Sequence, residues 1–577
     1  MKKETTDSSN PSKPVLLICP PFQSPYLASM CVTGLATYIK QHGVPCEEAY
    51  LHLDFFGILG TKRYQEINST VDGRGNGQVG ELLFAEALHG SLSDSEWEPE
   101  LVRLIGPEAE RKELLSAYEK RVERRILDAK PSLIGITTSF NQLVAAIWMT
   151  RIAKRVAPEV PVVLGGTACS APMGAEIAKA YPEVDYVISG YGEAPLRDLA
   201  KGERPQNRLI SCTTPVPLEE LPLPEYRPFL RQVAIHNPEI QVTLMFQSSR
   251  GCWWGAKRHC TFCGLNGNEM TFKALSVDRV VSNIRTLHER HGCDLVATDS
   301  IMARDHLKHL VPKLALFTER PVVFYEMKAN MTEDDVEAMA AAHITAQVGI
   351  ESLGPRLLKL MHKGVSTIRI LALLKWCREY RVEVVWNQLC GIPGETEADY
   401  DEQIALMEKI PQFKPPYRVN PVVIDRYSPY FEDYAAYGWE RIEPIPHYRP
   451  AHPHLDDTAL RNIAYHFEGV GGVSIGAYHE RFEAAVNRWK ERYKKGDGLF
   501  WSRFDGMMRR EDGVNGQIAV SETVRRIIEA THRIVPVERV VEQTGCDTSL
   551  INEMVEQGFV HVEKGNVVNL AVRTKMS

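Results

Sequence analysis

The sequence has no apolar run approaching the ~18 residues that a membrane span needs, and its first residues, MKKETTDSSNPSKP, hold no apolar signal core. A cytoplasmic protein is expected. A basic excess is also missing: Lys+Arg 67 against Asp+Glu 74 leaves a net charge of −7, which gives nucleic acid and anionic membranes no electrostatic reason to bind. Cysteine is sparse, 12 in 577 residues, which excludes a disulfide scaffold and makes reduced thiols the expectation. No low-complexity or fibrous repeat occurs. With 44% hydrophobic and 24% charged residues, the chain has the make-up of a folded protein, long enough for three to four domains at roughly 150 residues each.

What the chain does have is an alternation of short β-rich runs with helix-length segments from Pro14 onward. VLLIC (Val15 to Cys19) reads as a buried strand, Tyr26 to His42 as a helix stopped at Gly43, and Glu47 to Leu53 as a second strand. After a mostly helical insertion from Phe55 to Lys130, strands recur at LIGITTS (Leu133 to Ser139), PVVLGG (Pro161 to Gly166) and DYVISG (Asp185 to Gly190). This is a five-strand α/β pattern, and open parallel sheets bind ligands at the carboxyl ends of their strands. The loops there hold Phe22; Ser139, Phe140 and Gln142; Gly165, Gly166 and Thr167; and Gly190, Tyr191, Gly192 and Glu193. Paired glycines after a strand admit a large ligand close to the backbone, or serve only a tight turn.

Lys201 to Glu239 is proline-rich and reads as an extended linker. Strand candidates then follow at Val242 to Ser248, Asp294 to Asp299, Val322 to Lys328, Ile344 to Glu351, Val382 to Cys390 and Tyr417 to Arg426. Six β/α units predict a partial (β/α)6 barrel with its chemistry on the loops after the strands. Beyond Glu432 the pattern turns helical, with Met507-Met508 and Phe500-Trp501 read as core. It closes with helices near Val524 to Ala530, Val537 to Thr544 and Leu550 to Gln557 and a hairpin turning at Gly565-Asn566, a winged-helix-like end. The expected organisation is α/β: a Rossmann-like domain over 14–200, a linker over 201–240, a partial barrel over 241–431 and a helical C-terminal domain over 432–577.

The sharpest local signal is RGCWWGAKRHCTFCG, in which Cys252, Cys260 and Cys263 form C-x7-C-x2-C just after the first barrel strand. Three thiolates from one loop can hold an iron–sulfur cluster and leave one iron open. The alternative is a closed zinc loop with His259 as fourth ligand. The tryptophans inside the loop, Trp253 and Trp254, either line a substrate cavity or shield the metal.

With Phe262 just before the last cysteine, this loop resembles that of the radical S-adenosylmethionine (SAM) superfamily, in a longer-gapped form. FYEMKAN (Phe324 to Asn330), QVGIESL (Gln347 to Leu353), VVWNQLCGIPGET (Val384 to Thr396) and DRYSPYF (Asp425 to Phe431) look like barrel motifs of cobalamin-dependent radical SAM enzymes. More narrowly, they resemble those of the C-methyltransferases that mature ribosomally made peptide natural products (RiPPs). GELLFAEAL (Gly80 to Leu88), TTSFNQLVAA (Thr137 to Ala146), VVLGGTA and ISGYGEAPL are similar to the same family, so the resemblance spans roughly 15–470. It implies a 4Fe-4S cluster on the three cysteines and SAM contacts from Phe262, Glu326, Lys328, Glu351, Gln388, Gly391 and Pro393. Cobalamin would lie on the strand-end loops of the first domain. Two departures stand out: Thr298-Asp299-Ser300 replaces the superfamily's glycine-glycine-glutamate segment, and no D-x-H-x-x-G supplies an imidazole for cobalt. Bland alternatives are a plain strand-to-helix turn at Gly391 to Gly394 and an ion pair between Glu326 and Lys328.

The chemistry so implied is methylation of an unactivated sp3 carbon, with one SAM cleaved to a 5′-deoxyadenosyl radical and a second remethylating cobalamin. The partners implied are a peptide or small-molecule substrate and an electron donor such as flavodoxin or ferredoxin. Competing readings are a cobalamin-dependent radical SAM enzyme that cyclises or oxidises without methyl transfer, one that methylates a small-molecule antibiotic, and a zinc-stapled peptide-binding protein. Arg525, Arg526, Arg533 and Arg539 near the C-terminus interleave with Glu522, Glu529, Glu538 and Glu542, as on a solvated helix face.

Overall fold

A computed structural model describes residues 13–68, 79–92, 95–139, 141–236, 239–267, 269–471, 478–502 and 506–574. The chain divides into two compact units, Met1–Phe246 with Glu443–Glu468, and Gln247–Ile442 with Gly469–Ser577.

The first unit is built on a parallel sheet of strands β1 (Val15–Ile18), β2 (Cys46–Ala49), β3 (Leu133–Thr137), β4 (Val162–Gly165), β5 (Tyr186–Gly190) and β6 (Leu209–Cys212), in the order β2-β1-β3-β4-β5-β6. The central strands read as unbroken apolar runs because both of their faces are buried, as all four residues of β1 show. The order reverses at β1, so the topological switch point lies between the carboxyl ends of β1 and β3. The second strand is shorter than expected, since a helix begins at Leu51. The proline-rich stretch also differs from expectation. Instead of a free linker it supplies β6, paired in parallel with β5 from Val187↔Leu209 to Gly190↔Cys212, and a helix at Arg227–His236. A sixth strand is thus added to the five foreseen.

The insertion forms helices at Leu51–Leu59, Thr61–Asn68, Val79–His89, Glu98–Leu104 and Glu108–Ala129, beside an aromatic core of Phe22, Phe55, Tyr64, Phe84, Tyr118 and Trp148. Arg111, fully buried, is neutralised there by Glu86 at 2.8 Å and Glu98 at 2.7 Å. Residues 443–468, expected in the C-terminal region, belong to this unit, where His452 Nδ1 meets the Tyr181 hydroxyl at 2.5 Å.

In the second unit, parallel strands Leu295–Ala297, Val323–Lys328, Ile344–Gly349 and Val384–Val385 lie side by side, and Gln388–Cys390 continues against Val419–Pro421. The last two barrel candidates are therefore interrupted strands. The C-terminal end has helices Glu522–Ala530, Val537–Thr544 and Thr548–Glu556 followed by the hairpin Val560–Glu563 with Asn566–Asn569, the winged-helix-like order expected. Between Gly498 and Ile518 the chain makes a three-stranded antiparallel meander where a helical region was foreseen. Met507 is core, as expected, packed with Leu499, Trp501, Ile527 and Val567.

Candidate active site

The cluster loop is fixed from its stem. Asp299, 2% exposed, accepts the backbone N–H and hydroxyl of Ser248 and of Ser249 at 2.5–3.0 Å. These two serines lead into Arg250, Gly251 and Cys252, so the residue standing where the family glutamate was sought is engaged in holding the loop. In the loop, Gly255 N–H donates to Cys252 Sγ at 3.2 Å, Cys263 N–H donates to the Cys260 carbonyl at 3.1 Å, and Thr261 N–H reaches the Met361 carbonyl at 3.3 Å. Burial pushes the Cys263 thiol up to about 12 and raises that of Cys260, while Lys363 and Lys328 pull Cys260 back down. Neutral thiols at rest become good ligands only when a metal centre supplies positive charge.

The spacing of the donors discriminates between centres. Tetrahedral zinc at ~2.3 Å from sulfur places its thiolates about 3.8 Å apart. No three of Cys252, His259, Cys260 and Cys263 bring donor atoms within 4.8 Å of one another; among the described residues only Glu333, Glu379 and His532 do. Three thiols from one loop suit an iron–sulfur cluster, which takes its protein ligands from cysteine. His259 Nε2 is buried without a partner.

Around the thiols, the strand faces alternate. In Val323–Lys328 the residues Phe324, Glu326 and Lys328 share the half-buried face, in register with Thr345, Gln347 and Gly349 of the next strand. Burial, with Glu351 and Asp299 nearby, lifts the Glu326 carboxyl to about 7. Burial and Lys363 push the Lys328 ammonium down to about 8. The anticipated alternative of a Glu326–Lys328 ion pair is not formed: Lys328 Nζ donates to the Lys363 carbonyl and stands 3.5 Å above the Trp254 ring. Glu351, at positive φ (64°), bridges in parallel to Gln388 and pairs with Lys363 at 3.2 Å. Gln388 is fully buried; its Nε2 donates to the Leu389 carbonyl, and its Oε1 has no partner. A buried orphan acceptor beside an acidic side chain suits a ligand bearing N–H or O–H donors. Gly391, half-buried at φ 74°, and buried Pro393 form the adjoining turn, held by Glu395, which accepts from Ile392 N–H at 2.7 Å.

In the first unit, the strand-end loops gather at the switch point. Gln142 Nε2 donates to the Pro20 carbonyl at 2.8 Å and its Oε1 accepts from Ser139 N–H and Oγ, tying the loops after β1 and β3 together. Phe22 is 3% exposed and sits in the aromatic core instead of on the rim; Phe140 lies outside the described residues. Thr167 and Gly190 are exposed, Gly165, Gly166, Tyr191 and Gly192 half-buried, and Glu193 buried. A Cβ on Gly166 would fall 2.2 Å from the Thr138 carbonyl oxygen and one on Gly190 2.2 Å from that of Cys212, so these two are glycines for the sake of their own loops. Gly165 and Gly192 have nothing nearer than 3.9 Å, leaving room for a large ligand against the backbone.

Sequence reasoning missed Lys363, buried among Glu351, Phe262 and the thiols, because nothing in MHKGVS marks which way a loop lysine turns. It also missed the carboxylate pair Glu333 and Glu379, with His532. There Arg533, Arg573 and buried Lys375 neutralise the acids and join the C-terminal end to the barrel helices, so the cluster is explained without an ion.

Residues 246–407 match the Radical SAM superfamily and residues 82–200 match the B12 binding domain. The cysteine loop and barrel thus carry a radical SAM match and the parallel sheet a B12 binding domain match, and the cofactors that go with these domains are a 4Fe-4S cluster, SAM and cobalamin. Among its relatives, an uncharacterised methyltransferase of Pyrococcus horikoshii is 23% identical over 304 residues, covering 48% of this chain and 64% of the relative. A tRNA-2-methylthio-N(6)-dimethylallyladenosine synthase of Methylococcus capsulatus is 23% identical over 276 residues, 44% of this chain and 56% of the relative. The chain therefore spans about three fifths of the length of these curated relatives. The radical SAM methyltransferase TsrM of Kitasatospora setae, solved with cobalamin and a [4Fe-4S] cluster, shares the fold at TM-score 0.51, with 16% identity over 83% of this chain and 89% of that one.

Proposed function

We propose that this enzyme is a C-methyltransferase acting on unactivated sp3 carbons of a ribosomally made peptide. The observation that carries the reading is one loop of three thiols joined to a B12-binding sheet in a single chain. The bound cofactors supply the radical, the methyl group and its replacement. The chain's own residues bind, orient and exclude water. Cys252, Cys260 and Cys263 hold the cluster; Glu351, the Gln388 oxygen and the Gly391 to Pro393 turn hold SAM, with Phe262, Glu326 and Lys328 beside them. Gly165, Thr167, Gly190, Tyr191 and Gly192 form the cobalamin rim, supported by Ser139 and Gln142. No side chain is needed as a general base. The charge of −7 and the interleaved C-terminal arginines support a peptide over the tRNA named for one relative. No helix among the described residues is long and apolar enough to cross a membrane. A cytoplasmic setting, which keeps the thiols reduced, goes with this reading.

Mass spectrometry of candidate peptides and small molecules incubated with reduced enzyme tests it. Methylation adds ~14 Da with release of both 5′-deoxyadenosine and S-adenosylhomocysteine, the two-SAM logic of the cofactor pair. A loss of ~2 Da without S-adenosylhomocysteine would mean cyclisation or oxidation instead.

A further inference from the structure

The seven residues between Cys252 and Cys260 do more than separate two ligands. Trp253 and Trp254 are pinned, their Nε1 atoms donating to the Met302 carbonyl at 3.0 Å and the His362 carbonyl at 3.1 Å. Gly364 makes room for the second ring, since a Cβ there would lie 2.1 Å from it. With the tryptophans packed, the loop turns outward and exposes Ala256, Lys257 and Arg258. Neither Lys257 nor Arg258 has a side-chain hydrogen bond or ion pair among the described residues. Exposed Arg304 packs on the same loop, its guanidinium 4.3 Å over Trp253; the adjacent Asp305 is taken by His309 at 2.7 Å.

An overall acidic chain thus carries unneutralised cations at the surface tip of the loop that bears the thiols. We infer that Lys257, Arg258 and Arg304 form the docking patch for an acidic one-electron donor protein of the flavodoxin or ferredoxin kind. This rests on the radical SAM reading above. The tip adjoins the half-buried thiols along the chain: Arg258 is two residues from Cys260, and Gly255 bonds Cys252 directly. Opposite charge at the rim steers encounter and orients the partner. In the step itself the donor's reduced centre loses one electron and the cluster gains it, with no bond made or broken on this chain.

The test uses the full-length holoenzyme and flavodoxin. Binding of oxidised flavodoxin is measured by calorimetry at two salt concentrations, and cluster reduction is followed by electron paramagnetic resonance with either reduced flavodoxin or 5-deazaflavin photoreduction. The double charge reversal Lys257→Glu with Arg258→Glu is expected to weaken flavodoxin binding at least tenfold and slow flavodoxin-driven reduction as much. Iron content and deazaflavin-driven reduction stay at wild-type levels, and the swap Lys257→Arg with Arg258→Lys keeps binding. A cluster that deazaflavin reduces, but whose flavodoxin binding ignores the charge reversal, overturns the patch alone. Displacement of flavodoxin by an acidic substrate peptide would assign the patch to substrate and overturn it too. A wild-type chain that holds no cluster overturns the functional reading, and this inference with it.

Discussion

Lys363 Nζ lies 3.2 Å from Glu351 Oε1 and 5.5 Å from the centre of the Phe262 ring, so one buried cation links the acidic side chain after the third parallel strand to the residue preceding Cys263. Removing it leaves the carboxylate partly buried and unpaired. Lys363→Met is expected to destabilise the protein by about 3–5 kcal/mol and to weaken SAM binding, while Glu351→Gln, which keeps the shape, weakens SAM binding with a smaller loss of stability. Equilibrium dialysis with SAM and urea unfolding separate the two effects.

Asp299 accepts four hydrogen bonds from Ser248 and Ser249 in a dry setting. Asp299→Ala strands those donors, at about 1–3 kcal/mol for each left unmet. The loop stem then loosens, and iron per chain is expected to fall along with the melting temperature. Normal iron with a normal melting temperature would contradict this role.

The joint between barrel and C-terminal end is acid-sensitive. Burial raises the Glu333 carboxyl, but hydrogen bonds from His532 and Arg533 outweigh that and hold it down to about 2. Burial and Lys375 push His532 down to about 4. Both folded values are depressed, so the stabilisation is complete above pH 6.5 and is lost as pH falls, first through the histidine window of 6.5 to 4, then through 4.5 to 2. Stability should drop by roughly 1–3 kcal/mol across the first window, and His532→Asn should flatten that part of the profile. Hydrogen exchange of the Asn569 amide, bonded to the Thr531 carbonyl, reports it.

Two neighbouring glycines are predicted to behave differently. Gly166, at φ 118° and backed onto the Thr138 carbonyl, cannot take a Cβ, so Gly166→Ala should damage the sheet edge itself. Gly165→Ala meets only ordinary contacts and should fold normally while binding cobalamin less well. Circular dichroism and cobalamin absorbance after desalting distinguish the outcomes.

These contrasts mark what the sequence discloses. Buried parallel strands such as Val15–Ile18 and Leu133–Thr137 announce themselves as apolar runs, and the Gly565-Asn566 turn marks its hairpin. Leu209–Cys212 hid among prolines because an edge strand needs only one partner. The meander near Met507 was obscured by Arg509, Arg510 and Glu511, exposed or half-buried on a strand that faces water on one side. At the site, the cysteine spacing marked a metal-binding loop, while the choice between an iron–sulfur cluster and a zinc loop with His259 came from the resemblance of the surrounding motifs. The engagement of Asp299 by two serines and the inward turn of Lys363 depend on tertiary neighbours that no local pattern carries.

The most direct measurement is iron, zinc and cobalamin per chain after anaerobic purification with cobalamin supplied, comparing wild type with Cys260→Ala. The account predicts about four irons and one cobalamin in the wild type, with iron lost and cobalamin kept in the variant. Zinc in place of iron, with no cobalamin, would contradict it.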